Sequence, residues 1–208
     1  MAQRCPAPGN PRIYPELWVL RHGETTWNVE GRLQGHLDSP LTPIGINQAK
    51  AQGRILAPIL PQNVDIRVSP SGRAWRTAEL ALGDFGHPLV ADPRLLEIGL
   101  GAWQGHLIGE ISAAPADPDA DPHLWKFNAP GGERLTDMQA RLHALLADLK
   151  GPTVLVTHGV TSRMLRCIVL GMAPEQLSEV PGGQGIVHHI REGRAKVLSP
   201  TGTAGSCT

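Results

Sequence analysis

The 208-residue chain is short of cysteine, aromatic rings and net charge. Its three cysteines, Cys5, Cys167 and Cys207, are scattered and form no CxxC pair, so neither a disulfide framework nor a thiolate metal site follows from them. Aromatic residues make up 4%, too few for the stacking platforms that hold single-stranded nucleic acid. Lys plus Arg equals Asp plus Glu at 19 each, which leaves no global field to attract a polyanion or an anionic bilayer. Nucleic-acid and membrane partners are therefore not expected. The opening MAQRCPAPGNPRIYPELWVL has no apolar core of a signal peptide, and no apolar run is long enough to span a bilayer, so a cytoplasmic location is expected. His36, His87, His106, His123, His143, His188 and His189 show no HExxH or Cys/His ligand spacing and read as surface or loop residues. No GxxxxGK[ST] loop occurs and no GxGxxG follows a strand, which removes the nucleoside triphosphate and dinucleotide readings. No metal and no cofactor is expected.

What is present is enough for one globular domain: hydrophobic residues reach 41% and mean hydropathy is -0.14. Gly and Pro together form about a fifth of the chain, a sign of many turns. Leu17 to Leu20 and Asp65 to Ser69 read as strands, each followed by a polar turn and then a helix, from Thr42 to about Leu60 and from Gly72 to Leu82. Thr42 is a suitable N-cap and Pro43 a suitable first helical residue, while Gly53 weakens the middle of that helix. His87 to Ala91 is a further candidate strand. AAPADPDADP, residues 113–122, cannot hold a helix and reads as a surface loop. An amphipathic helix over Thr136 to Leu149 leads into the strand TVLVT, Thr153 to Thr157, and a helix from Thr161 to Leu170. A terminal hairpin is expected over Gly185 to Ile190 and Ala195 to Leu198. The whole predicts a three-layer α/β sandwich, a central mostly parallel sheet with helices on both faces, as one domain over 11–198 with weakly ordered tails at 1–10 and 199–208.

In open parallel sheets ligands gather beyond the carboxyl ends of the strands. Three strand ends here carry basic groups: Arg21 and His22 after the first strand, Arg73 just past the second, and His158 after TVLVT. If these strands are neighbours, two imidazoles and two guanidiniums converge, and a bound dianion such as phosphate relieves their repulsion. Arginine supplies 15 of the 19 cations, and its planar fork suits phosphoryl oxygens. Arg73 in a first helical turn opposes the helix dipole, so an anionic partner is expected for it.

Six stretches, taken in order, resemble the histidine phosphatase superfamily, which includes the cofactor-dependent phosphoglycerate mutases: LRHGETTWN, GRLQGHLDSPLTPIGINQA, SPSGRAWRTAE, LLEIGLGAWQG, PGGERL and VTHGV. The resemblance implies a phosphoglycerate mutase-like fold and a nucleophilic His22 that becomes phosphorylated. It further implies that Arg21, Arg73 and His158 hold the equatorial oxygens, that Asn28 adds a donor, and that Glu97 protonates the leaving oxygen. Gln34 and Gly35 look like the family's substrate-contacting pair, and Gly159 follows His158 into the same site. A neutral imidazole suits the nucleophile, and neighbouring arginines keep it neutral. Glu97 needs a raised pKa, for which burial among Leu95, Leu96 and Ile98 is expected; Glu24, Glu110 and Glu133 are the competing acids. Trp103 and Trp125 fit either the pocket rim or the core.

The compact length and the PGGERL block resemble the phosphatase branch, whereas VPGGQGIVHHI, Val180 to Ile190, is closer to the mutase version. Beyond Glu97 only Lys126 and Arg134 offer the extra cations a mutase needs. The expected function is hydrolysis of a small phosphorylated metabolite, with mutase-type transfer or a silent phosphate-binding domain as alternatives; a homodimer is compatible with the sequence.

Overall fold

The computed structural model describes residues 14–111, 121–200 and 202–207. The tail expected at 1–10 and most of the loop expected at 113–122 lie outside the described residues. The elements are β1 (Leu17–Arg21), α1 (Thr26–Glu30), α2 (Pro43–Leu56), β2 (Asp65–Val68), α3 (Gly72–Leu82), β3 (Leu89–Ala91), α4 (Leu135–Asp148), β4 (Thr153–Thr157), α5 (Gly159–Leu170), β5 (Val187–Arg191), β6 (Arg194–Ser199) and β7 (Gly202–Cys207).

Period-two alternation explains the layering. Leu17 and Val19 of β1 and Leu155 of β4 face a cluster built with Met138, Leu142 and Leu145 of α4 and Met164 and Leu165 of α5. Trp18, Leu20, Val154 and Val156 face the opposite cluster, with Leu56 of α2 and Ala74, Ala78 and Leu82 of α3. The central strands are thus apolar on both sides because both sides are covered. The strand order is β3-β2-β4-β1-β5-β6-β7. The first four strands run parallel, and β5 to β7 extend the sheet antiparallel. In register, Val68 and Leu20 both oppose Val156, so the carboxyl ends of β2, β4 and β1 lie side by side. That adjacency is what the basic strand ends required. No helix among the described residues is long and apolar enough to cross a membrane.

Several boundaries differ from expectation. The α2 helix stops at Leu56 rather than near Leu60, and the N–H groups of Ile59 and Leu60 fold back onto the Leu56 carbonyl. The α5 helix begins two residues earlier than expected, at Gly159. The short α1 arises from a reciprocal cap in which Thr25 and Asn28 bond each other's backbone N–H. The expected tail 199–208 instead carries β7, which pairs antiparallel with β6. GTAGSC has no alternating apolar pattern to announce a strand; the backbone edge of β6 supplies the pairing.

Gly53 has a packing reason. A Cβ there would lie 2.4 Å from the Ala81 carbonyl oxygen, so its absence sets how closely α2 and α3 approach. Alanine would gain about 0.5–1 kcal/mol of helix propensity, yet it must push two backbones apart. Gly53→Ala is expected to lower unfolding free energy by about 1–2 kcal/mol in urea titrations; a gain in stability would contradict this contact.

Candidate active site

Beyond the ends of β1, β2 and β4 lies a cavity of about 190 Å³ lined by Arg21, His22, Asn28, Gln34, Gly35, Arg73, Glu97 and Gly159, among others. His22 leaves β1 as the sheet ends; its N–H still pairs with the Thr157 carbonyl of β4 at 3.0 Å, which fixes the backbone. Its Nδ1 lies 2.7 Å from the Gly23 carbonyl. A carbonyl only accepts, so Nδ1 carries the proton. Arg73 Nε donates to His22 Nε2 at 3.3 Å, which again leaves Nε2 as the lone-pair nitrogen. Burial, then the neighbouring His158, Arg21 and Arg73, hold the imidazole pKa well below its usual value.

Arg73, at the start of α3, is almost fully buried. Beside its bond to His22 it donates from Nη1 to the Leu37 carbonyl (2.7 Å) and Asp38 (3.0 Å), and from Nη2 to the Gly35 carbonyl (2.8 Å). Asp38 is the anionic partner that the helix-dipole argument demanded. Arg21 is half-buried and its Nε, fully buried, has no protein partner, although Glu97 is its main attractive neighbour. Such an orphan donor beside the cavity is what an anion would satisfy.

His158 stands edge-on to His22, with ring centroids 5.2 Å apart. Its Nε2 meets the Ser69 hydroxyl at 2.7 Å and the Ser71 hydroxyl at 3.3 Å, whereas Nδ1 is buried without a partner. Burial, then Arg73 and Arg21, lower its pKa well below the usual value. Asn28 accepts at Oδ1 from the Thr25 N–H and from Gln184 Nε2, both at 3.2 Å, so its amide NH₂ is the end left free. Gln34 donates to Thr25 Oγ1 at 2.9 Å and keeps a buried, unpartnered Oε1.

Glu97 corrects an expectation. Burial alone would raise its pKa, but the N–H groups of Thr161, Val160 and Ile98, with the charge of Arg73, more than offset it and hold the carboxyl below its usual range. The carboxylate caps α5: Val160 N–H donates to Oε2 at 3.1 Å and Thr161 N–H to Oε1 at 3.0 Å. Leu95, Leu96 and Ile98 surround it, yet helix N–H groups outweigh the apolar setting. Of the competing acids, Glu133 is gripped by Arg141 (2.6 Å), Glu24 accepts from Thr42 (2.7 Å), and Glu110 is exposed beside His106.

The sequence missed Arg32, Arg163 and His123 as cavity residues. They line it together with Lys126, the cation expected beyond Glu97, giving with Arg21 and Arg73 five cationic side chains against the Glu97 carboxylate. Arg163 was readable in principle, since it lies one helical turn beyond Gly159 on α5. His123, read as a surface residue, is partly buried with its pKa lowered to about 3 by burial and Lys126. His188, read likewise, is buried on β5. His36 bonds the Glu97 carbonyl at 3.0 Å. Trp103 and Trp125 pack on each other and on the core, which settles their two readings in favour of packing. Arg134 pairs with Asp137 on the surface instead of joining the cavity. Among the described residues no cluster of three or more His, Cys, Asp or Glu could hold a metal ion.

The family model described as histidine phosphatase superfamily, branch 1, matches residues 17–197. The chain belongs to that superfamily. Among curated relatives, the Hydrogenobacter thermophilus protein carrying the name phosphoserine phosphatase 2 is 31% identical over 88% of this chain and 92% of its own. Yersinia pestis phosphoglycerate mutase GpmB, so named, is 31% identical over 76% and 75%. The solved mycobacterial glucosyl-3-phosphoglycerate phosphatase, a complex with VO3, superposes with a TM-score of 0.69 at 31% identity, covering 84% of this chain and 92% of its own. In this member of the superfamily the neutral imidazoles have a cost in acid. Because the folded pKa values of His22 and His158 lie well below 6.5, the unfolded chain takes up protons that the folded chain refuses. Stability present above that pH is lost as pH falls, by about 1.4 kcal/mol per pH unit for each buried imidazole. Urea titrations between pH 7.5 and 5.5 are expected to show this decline, reduced by inorganic phosphate; a flat profile would contradict it.

Proposed function

We propose that the protein is a metal-independent phosphomonoester hydrolase for a small phosphorylated metabolite, working through a phosphohistidine on His22 Nε2. The observation that carries this reading is the His22 tautomer: the Gly23 carbonyl takes Nδ1–H, which leaves the lone pair on Nε2 at the cationic cavity, where it accepts from Arg73 Nε–H until that donor turns to the phosphoryl oxygens. Attack by Nε2 forms the N–P bond as the ester P–O bond breaks, and the leaving oxygen takes a proton from Glu97. Glu97 then accepts a proton from the water that attacks the phosphohistidine, releasing phosphate and restoring His22. Fixed guanidiniums are the main catalytic device, because phosphoryl transfer spreads charge over the equatorial oxygens. Arg21 and Arg73 serve them. The Asn28 NH₂ on the cavity lining is a third donor. With His158 Nε2 accepting from the Ser69 hydroxyl, its partnerless Nδ1–H, behind the lining and beside His22, is the fourth that the reading calls on.

The lowered pKa of Glu97 fits a substrate-made acid. A phosphate dianion in the same cavity disfavours a second negative charge and so raises the proton affinity of the carboxyl. Glu97→Gln is expected to lower kcat for glycerol phosphate, a poor leaving group, by about 10²–10³ and for p-nitrophenyl phosphate by less than about tenfold. Equal losses on both esters would remove Glu97 from the acid role.

Mutase-type transfer remains the second reading, favoured by Arg32 and Arg163, cations in the cavity beyond those counted from sequence. The phosphatase names of two relatives support hydrolysis. With 3-phosphoglycerate, phosphate release exceeding 2-phosphoglycerate formation is the expected result, and rapid interconversion with little phosphate would overturn it. Phosphate release that persists in EDTA is expected; saturable anion binding without turnover would mark a silent binding domain.

A further inference from the structure

A second cavity, about 580 Å³, lies between the carboxyl half of α5 and the β5–β6 hairpin. It shares no lining residue with the catalytic cavity, since α5 offers Gly159, Val160 and Arg163 to one and Arg166 and Leu170 to the other. Arg166 is almost wholly buried, with 2% of its surface exposed. Its Nε donates to the Ser162 carbonyl at 3.0 Å, and Nη1 to the Pro181 carbonyl at 2.7 Å and His188 Nδ1 at 3.1 Å. These are neutral acceptors. Among the described residues no carboxylate lies within ion-pair distance of Arg166, and its Nη2 has no hydrogen-bond partner.

A buried guanidinium without a counter-charge is unfavourable, and here burial together with Arg163 draws its pKa down to about 9. Leu170, Met172, Val180 and Val197 supply apolar wall, while Glu179 is the carboxylate on the lining and Arg194 and Lys196 are its exposed cations. A cavity of this size holds a small organic molecule. We propose that it is a binding site for a small organic anion whose apolar body rests on these walls and whose single anionic head pairs with Arg166. Arg166 is the one buried cation on the lining, whereas Arg194 and Lys196 stand exposed on it, so the desolvated head pairs with Arg166. The site stands apart from the phosphatase reading and does not depend on it.

The test is a fluorescence titration of the intact protein with 8-anilinonaphthalene-1-sulfonate, an apolar ring system bearing one sulfonate. Single-site saturable binding is expected, unaffected by saturating orthovanadate in the catalytic cavity. Arg166→Met is expected to weaken it at least about tenfold, and Glu179→Gln, which removes an exposed like charge, to tighten it about two- to threefold. If Arg166→Met does not fold, Glu179→Gln decides alone. Absence of saturable binding, displacement by orthovanadate, or an affinity that neither charge change moves would overturn the proposal.

Discussion

Replacing His22 by asparagine is expected to lower kcat for phosphate release by at least about 10⁴-fold while orthovanadate binding persists. The loss is large because no second nucleophile stands ready. The ring of His158 lies edge-on to His22 with Nε2 committed to Ser69, the arginines of the cavity cannot give up a proton, and His123 and Lys126, which also line it, lie against each other, with Lys126 Nζ 3.4 Å from His123 Nδ1. Folding is expected to survive, since His22 is neutral in the native state and an amide can still donate to the Gly23 carbonyl. Single-turnover release of phosphate, with circular dichroism as the control, measures the effect; near-native turnover would exclude His22 as the nucleophile.

Arg73→Lys is expected to cost about 10³ or more in kcat/KM and about 2–4 kcal/mol of stability, although it keeps the charge. The guanidinium spans four groups at once: His22 Nε2, the Gly35 and Leu37 carbonyls, and Asp38. An ammonium on a linear stem cannot reproduce that fork, so buried acceptors lose their donor and the Gly35 loop loses its tie to the nucleophile. Arg76→Lys is the matched control. Arg76 lies on the same helix in an exposed pair with Glu79, where less than about 0.5 kcal/mol is expected. Equal effects of the two substitutions in urea and kinetic titrations would contradict the role given to Arg73.

The features that local chemistry dictates were legible before any coordinates. Strand-like runs ending on Arg21 and His22, near Arg73 and on His158 announced a shared edge, and the order β2-β4-β1 brings those ends together. The misplaced charge of Arg73 announced an acid, found as Asp38. Thr42 and Pro43 announced the start of α2, and Thr42 Oγ1 does accept from the Gly45 N–H at 3.0 Å. What stayed hidden depends on distant pieces of chain. Gln184 donates to the His22 carbonyl at 3.1 Å from 162 residues away, and no local pattern marks it. The proton affinity of Glu97 was misread because its apolar neighbours are visible in sequence, while the N–H groups of α5 that overrule them arrive only through folding. The β7 strand was hidden for a related reason: its pairing with β6 is set by a distant backbone edge, and the sequence GTAGSC has no alternating apolar pattern.

The central claim is that Nε2, not Nδ1, of His22 carries the phosphoryl group, because Nδ1 is bound as a donor to the Gly23 carbonyl. Rapid acid-free quenching during turnover of p-nitrophenyl phosphate, followed by peptide mass spectrometry and phosphorus NMR against both phosphohistidine isomers, measures it directly. The Nε2-phosphorylated isomer on the peptide containing His22, absent from His22→Asn, is the predicted result. A phosphoryl group on Nδ1, or on any other residue during steady turnover, would contradict the account.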